Sequence, residues 1–398
     1  MRRLGLDFIR RLEWSGLLAA GLLVAVGIAF LFSAGFRGDG RPIMGYYERQ
    51  LGWAAIGCVL FLVFARLDYR IWIRWAWLIY LLALALLLLV FVPGFGVRMF
   101  GARRWIELPG IRMQPSEVMK LALILALAGL LGNPGRDLRK ARYVVGALIL
   151  TALPMAVIME QPDLGTAMIF PPIAMAAMFA AGVPGRYLAR LAGIGLLLAA
   201  VLAGFLVVPH MMGVDAATQD RLSAMVGVEG YQRDRILVFL DSSLDPLGAG
   251  WNKAQSRIAI GSGRMWGKGY LNGQQNLLGF LPRTVAPTDF IYAVIGEEAG
   301  FAGSLAILFL FSILLLSLLR TAGNAPDRHG AVLCAGVAAM LFCHVFINIA
   351  MTAGLMPITG VPLPLVSYGG TFMVGIMSAL GMAHSVNVHK GFNETFQS

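Results

Sequence analysis

The chain has 398 residues, of which 58% are hydrophobic and only 13% charged, with a mean hydropathy of +0.75. A soluble globule of this size needs more polar surface, so the composition excludes a soluble enzyme and indicates an integral membrane protein. The net charge of +11 is spread over short loops between apolar runs, which suits lipid headgroups or an anionic substrate better than nucleic acid.

The first apolar run follows Arg2, Arg3, Arg10 and Arg11. It is long, lacks a convincing cleavage site and precedes many similar runs, so it reads as a span and not as a signal peptide. Runs of roughly 17 to 25 residues, enough to cross the hydrocarbon, lie at 14–34, 48–65, 75–92, 116–132, 143–159, 164–182, 191–209, 288–319, 330–354 and 367–386. The expected fold is an all-α integral membrane protein: a single membrane domain over 1–398 built as a ten-helix bundle. Arg66, Arg70 and Arg74, then Arg136, Arg139, Lys140 and Arg142, then Arg186 and Arg190, fall on the side of the arginine-rich N-terminus. The positive-inside rule makes that side cytoplasmic and, with an even span count, returns the C-terminus there too. The connection 210–287, between helices 7 and 8, is then a large extracytoplasmic loop, far longer than ordinary connections. It is expected to pack over the outer mouth of the bundle, with short interfacial helices around Gln255–Ile260 and Trp266. Cys58, Cys334 and Cys343 all fall inside apolar runs and suggest neither a disulfide framework nor a zinc site.

Charge placed in or against a membrane is costly and tends to mark function. In "VRMFGARRWIELPGIRMQPSEVMK" the cations Arg98, Arg103, Arg104 and Arg112 break the positive-inside bias on the outer side. Headgroup contact and a cradle for a phosphate or pyrophosphate both account for them, the second because guanidinium forks match phosphate oxygens. "QPSEVMK" adds Glu117 and Lys120 at i, i+3 spacing, with Ser116 as a possible N-cap; an ion pair is the plain reading. In "QPDLGT", Asp163 either caps the next helix or faces a cavity. "GSGRMWGKG" fails the Walker spacing, since Gly261 leaves five residues before Gly-Lys and Gly263 leaves three. In the run 288–319, about 48 Å long as a helix, Asp289, Glu297 and Glu298 stand in "PTDFIYAVIGEEAGF". The part from Ala299 onward suffices to span, so the acids can lie outside the hydrocarbon. Asp289 is either a helix cap after Pro287 or a general base. His344 and Asn348 share a helix face, explained as well by interhelical hydrogen bonds as by a relay.

Taken together, "GARRWI", "QPSEVMK", "QPDLGT", "DPLGAGWNKAQSRIAIGSG", "GKGYLNGQQNLLGFLP", "TDFIYAVIGEEAGF" and "NIAMTAGLMPITGVPLPLVSYGG" resemble, in order, the motif set of the SEDS family of bacterial cell-wall polymerases. The resemblance covers nearly the whole chain and is to the elongation branch (RodA) more than the division branch (FtsW). It implies an inverting peptidoglycan glycosyltransferase in the inner membrane that polymerises lipid II on the outer face during elongation, releasing undecaprenyl pyrophosphate. A class B penicillin-binding protein is the implied partner. The family's catalytic carboxylate falls on Asp289. Its substrate contacts fall on Arg49, Arg104, Glu117, Lys120 and Asp163, on Ser256, Gly261 and Gly263 of the loop motif, and on Ser367 and Tyr368 of the final turn. Pro357, Gly360, Gly369 and Gly370 also match that turn. No cofactor is implied with certainty; Mg2+ or Mn2+ would be a hard ligand for Asp289 and phosphate oxygens. The chain departs from the family at Arg283, with two apparent extra residues before "TDF", and at Arg264, which interrupts a glycine pair. A flippase of lipid II and a non-catalytic scaffold are the rival readings.

Overall fold

A computed structural model describes residues 11–36, 45–99, 102–108, 111–225, 230–282 and 284–390. Arg283 lies outside the described residues, as do the first ten positions with Arg2, Arg3 and Arg10. The helices are α1 (Trp14–Ala34), α2 (Tyr46–Arg66), α3 (Tyr69–Arg74), α4 (Ala76–Leu89), α5 (Pro115–Leu131), α6 (Ala141–Met159), α7 (Leu164–Ala167), α8 (Phe170–Ala181), α9 (Gly185–Met211), α10 (Ala216–Met225), α11 (Gly230–Leu240), α12 (Ala249–Ser262), α13 (Gln274–Leu277), α14 (Ile291–Gly323), α15 (Arg328–Thr352) and α16 (Gly370–Val388). Among the described residues eight helical stretches are long and apolar enough to cross a membrane, α7 and α8 counting together as one. Of the ten expected crossings, 75–92 is the shorter apolar helix α4 and 116–132 is the 17-residue α5.

Buried α15 and α16 form the middle of the bundle. Helix α15 packs on α5, α8 and α14, while α16 lies along α2 and α14 lies along α1. Helix α9 is peripheral: only 6% of its apolar window is buried, and it shows Leu196, Leu197, Leu198 and Val201 outward. An apolar helix with no protein around it fits a lipid environment. The expected span 164–182 breaks between α7 and α8 for a reason present in the sequence, because Pro171 and Pro172 lack N–H donors and cannot continue a helix from upstream.

Two elements differ from the sequence reading. The connection 93–115, read as a loop, is not irregular: β1 (Gly96–Met99), β2 (Ala102–Leu108) and β3 (Ile111–Met113) form an antiparallel meander in which Glu107 pairs with Arg112. The 288–319 run is not one continuous helix, because Gly300 has φ 67° and ψ −163° and divides α14. The freed backbone groups are taken up by the segment that follows α12. Phe301 N donates to Arg264 O at 2.8 Å, Ala302 N to Met265 O at 3.0 Å, and Glu297 O and Glu298 O accept from Lys268 N and Gly269 N at 3.0 Å. Unpaired backbone groups at membrane depth are tolerated only when satisfied in this way. The approach is close enough that a Cβ on Gly300 would stand 2.3 Å from Gly267 N. Thus α12, which contains the expected 255–260 helix, is packed on the first part of α14.

The same junction uses two of the acids. Glu297 is paired with Lys268 at 2.6 Å and accepts from Gln275 N at 3.1 Å. Glu298 accepts from Ser33 Oγ at 2.5 Å and from Leu271 N at 3.2 Å. Both carboxylates hold the loop onto α14, and neither lines the large cavity described below.

Candidate active site

A cavity of about 1760 Å³ is enclosed by the start of α2, the meander, the start of α5, the 210–287 segment, the 284–290 turn and the 358–372 stretch. Asp289, Arg49, Arg104, Glu117, Asp163 and Tyr368 all line it. Six residues separated by up to 319 positions in the chain therefore meet at one space.

Asp289 is not a helix cap. Helix α14 begins at Ile291 after Phe290, with no side-chain capping bond, and Asp289 sits in the turn before it. Three hydrogen bonds clamp the backbone of that turn, and a fourth ties the same Asn348 to Val361. Asn348 Nδ2 donates to Asp289 O at 2.9 Å and to Val361 O at 2.8 Å, Ser367 Oγ donates to Thr288 O at 2.5 Å, and Tyr368 N donates to Pro287 O at 2.9 Å. Gln50 reaches from α2 to the same place, donating to Ser367 O at 3.1 Å and accepting from Gly369 N at 3.2 Å. The main chain is thereby fixed while the carboxyl group remains on the cavity wall, a partly exposed position. Burial pushes the Asp289 carboxyl up from 3.8 to about 6, against the opposing pull of Arg235, a hydrogen bond from Thr288 and the field of Arg104. A carboxylate of that basicity is ionised at neutral pH yet able to take a proton.

The cations divide into two kinds. Arg104 is built into the wall: its Nε donates to Gln161 O at 3.0 Å, its Nη2 donates to Pro162 O, and Nη1 stands 3.6 Å from Asp163 Oδ1. Asp163 performs both of its expected roles, capping α7 through Thr166 N at 3.2 Å while facing the cavity, where Gln114 Nε2 also reaches it at 2.9 Å. Arg49 is exposed at the start of α2 on the same cavity. Arg112 lines it too, bonded to Glu107 at 3.0 Å, whereas Arg103 is not on the wall and the side chain of Arg98 is not among those described. Tyr368 packs edge-on against Tyr46 at 4.8 Å between ring centroids.

Other expected contacts lie behind the wall. Lys120 is fully buried, 2.8 Å from Glu117, so it reaches the cavity only through that carboxylate. Helix α5 begins after Gln114, which makes no side-chain capping bond, with Pro115 in its first turn, and Ser116 is buried inside it, so Ser116 is not the cap. Ser256 is buried and donates to Thr352 O at 2.7 Å, fastening α12 to α15. A Cβ on Gly263 would meet Gly296 O at 1.9 Å, so this glycine permits the α12–α14 approach. Gly261 lines a separate crevice of about 310 Å³ with Arg264 and Tyr292. Ser367 is buried and fixes the Asp289 turn. Of these, Lys120 and Ser367 contact residues of the cavity wall, while Ser256, Gly261 and Gly263 belong to the packing of α12.

Arg235 is a residue that the sequence did not assign, and Asn348, read there as a partner of His344 on one helix face, reaches the Asp289 turn. Arg235 lies on the cavity wall and donates through Nη1 to Ile358 O at 2.8 Å, two residues from Gly360, where a Cβ would stand 3.5 Å from Asp289 Oδ2. Its only sequence signal was a cation within "RILVFLD" of the 210–287 connection. Among the described residues no group of three or more His, Cys, Asp and Glu comes together as a cation site.

The sequence matches the FTSW_RODA_SPOVE family of cell cycle proteins over residues 13–391. The chain belongs to this family. It is 37% identical over 349 residues to the peptidoglycan glycosyltransferase MrdB of Escherichia coli K12, covering 87% of each chain. It is 33% identical over 420 residues to the peptidoglycan glycosyltransferase RodA of Treponema pallidum, covering 92% of this chain and 95% of that one. Among solved structures, one described as "Structural coordination of polymerization and crosslinking by a peptidoglycan synthase complex" superposes with a TM-score of 0.73 at 29% identity, covering 96% of this chain and 98% of the other. The rod shape determining protein RodA of Thermus thermophilus superposes with a TM-score of 0.67 at 26% identity, with the same coverage.

Proposed function

We propose that this protein is the peptidoglycan glycosyltransferase of cell elongation, joining lipid II units into glycan strands at the cavity around Asp289. The observation that carries the reading is Asp289 itself: a carboxyl group on the wall of a cavity large enough for a lipid-linked disaccharide, its backbone clamped by Asn348, Ser367 and Tyr368. The relatives bear the name of that activity.

The 4-hydroxyl of one disaccharide attacks the anomeric carbon of another, the bond to the undecaprenyl pyrophosphate breaks, and the configuration inverts. Asp289 takes the hydroxyl proton. Negative charge gathers on the departing pyrophosphate, and Arg49 and Arg104 face the same cavity to offset it. Because Arg104 is already held by Gln161, Pro162 and Asp163, little reorganisation is needed as that charge develops. In this reading the chain crosses the inner membrane ten times, counting α4 and α5, with the site on the outer side and both termini in the cytoplasm, as the distribution of Lys and Arg over the short loops supports. A class B penicillin-binding protein would crosslink the strands; the neighbour described as coupling polymerization with crosslinking supports that pairing.

The test is purified protein with lipid II in detergent, with and without the transpeptidase, resolved on a gel for glycan strands. Strands of increasing length support the enzyme. Absence of strands together with passage of lipid II across vesicles would favour a flippase.

A further inference from the structure

Behind the cavity wall, Lys120 is buried completely, and its ammonium has two close neighbours. Glu117 Oε1 is 2.8 Å away and His344 Nε2 is 2.6 Å away. An ammonium has three donors and no acceptor, so the His344 Nε2 facing it must present its lone pair. The proton of the neutral ring then resides on Nδ1, which points at Pro362 O, 3.4 Å away. Phe372, on the cavity wall, covers both groups: its ring centroid is 5.0 Å from that of His344 and 5.8 Å from Lys120 Nζ. Pro362 belongs to the stretch whose neighbours Val361 and Ser367 share the clamp on the Asp289 turn. One imidazole thus connects the Glu117–Lys120 pair on α5 to the stretch that holds Asp289.

We propose that His344 is a positioning residue for the reaction: its Nε2 fixes the Lys120 ammonium against Glu117, and its Nδ1–H ties that pair to the Pro362 stretch, so the charged floor of the cavity and the Asp289 turn keep one register. This rests on the glycosyltransferase reading for its kinetic consequence, but not for its structural one. His344 touches neither substrate nor reacting atoms and acts through Lys120.

Two measurements test it. Nitrogen-15 NMR of histidine-labelled protein in nanodiscs at pH 7 reads the tautomer directly, with the H344Q protein assigning one peak among five histidines. The expected ring is neutral, with Nδ1 protonated and Nε2 bare; a protonated Nε2 overturns the proposal whether or not the protein is active. In the polymerisation assay, H344L is expected to lower kcat about tenfold with KM changed less than about twofold, while H344Q, which keeps an acceptor and a donor, stays within about threefold of the parent. On a K120M background H344L should cost nothing further, because it acts through the missing ammonium. If H344L does not fold, H344N replaces it, since the shorter side chain cannot span from Lys120 to Pro362. Full activity of the His344 variant, or losses from His344 and Lys120 that multiply, overturns the proposal.

Discussion

Asp289 places two demands on the molecule. With its folded value at about 6 and its unfolded value at 3.8, the folded state holds more protons between those limits. Stability contributed by the protonated carboxyl is therefore lost as pH rises from about 4 to about 6 and does not return above that. D289N removes the penalty, so its thermal midpoint at pH 7.5 should exceed the parent's, measured by scanning fluorimetry in detergent; a lower midpoint would mean that the ionised carboxyl is structurally needed. Activity has the opposite dependence, since the base must be ionised. The pH profile of kcat/KM, which reports the free enzyme, should fall on acidification with an apparent midpoint near 6. A limb at the ordinary aspartate value would show that burial does not tune this group. The aspartate was readable in the sequence as an acid in an apolar setting, but its clamp was not, because Asn348 and Ser367 come from 59 and 78 positions further on and meet it only in the fold.

At the level of elements, the break in α14 is the feature that fastens the 264–269 segment to the bundle. Gly300 adopts a conformation closed to other residues and lies against Gly267 with no room for a methyl group. G300A should therefore destabilise the protein through backbone strain of about 1–3 kcal/mol, plus whatever the displaced 264–269 strap loses, read as a lower thermal midpoint and faster proteolysis of the loop. An unchanged midpoint would contradict the strap. Run length alone showed that 288–319 exceeds a membrane crossing, and from that the acids could be placed outside the hydrocarbon. The position of the break was hidden, because a glycine inside an apolar run looks the same whether the helix continues or turns. The meander at 96–113 was hidden for a related reason: three strands of four, seven and three residues offer too little alternation to be told from a loop.

For the whole molecule, the apolar runs and family motifs made the helical membrane architecture legible, and the contrast between exposed α9 and buried α15 agrees with lipid outside and protein inside. Helix α4 is shorter than the run 75–92 that suggested it, since the chain turns into the meander after Val90, while α5 keeps the length of its run. Orientation can be read independently in a cysteine-free background carrying single probes. Cysteine at Trp266, which is 78% exposed, should react with a membrane-impermeant maleimide in intact cells, and cysteine at Arg139 only after permeabilisation. The reverse pattern would turn the bundle over. The central claim, that the cavity polymerises lipid II with Asp289 as base, is tested most directly by the gel assay on D289N beside the parent. The account predicts strands from the parent and a loss of about 10²–10⁴ in rate from D289N, in a protein that melts no lower than the parent. D289N polymerising at the parental rate would contradict it.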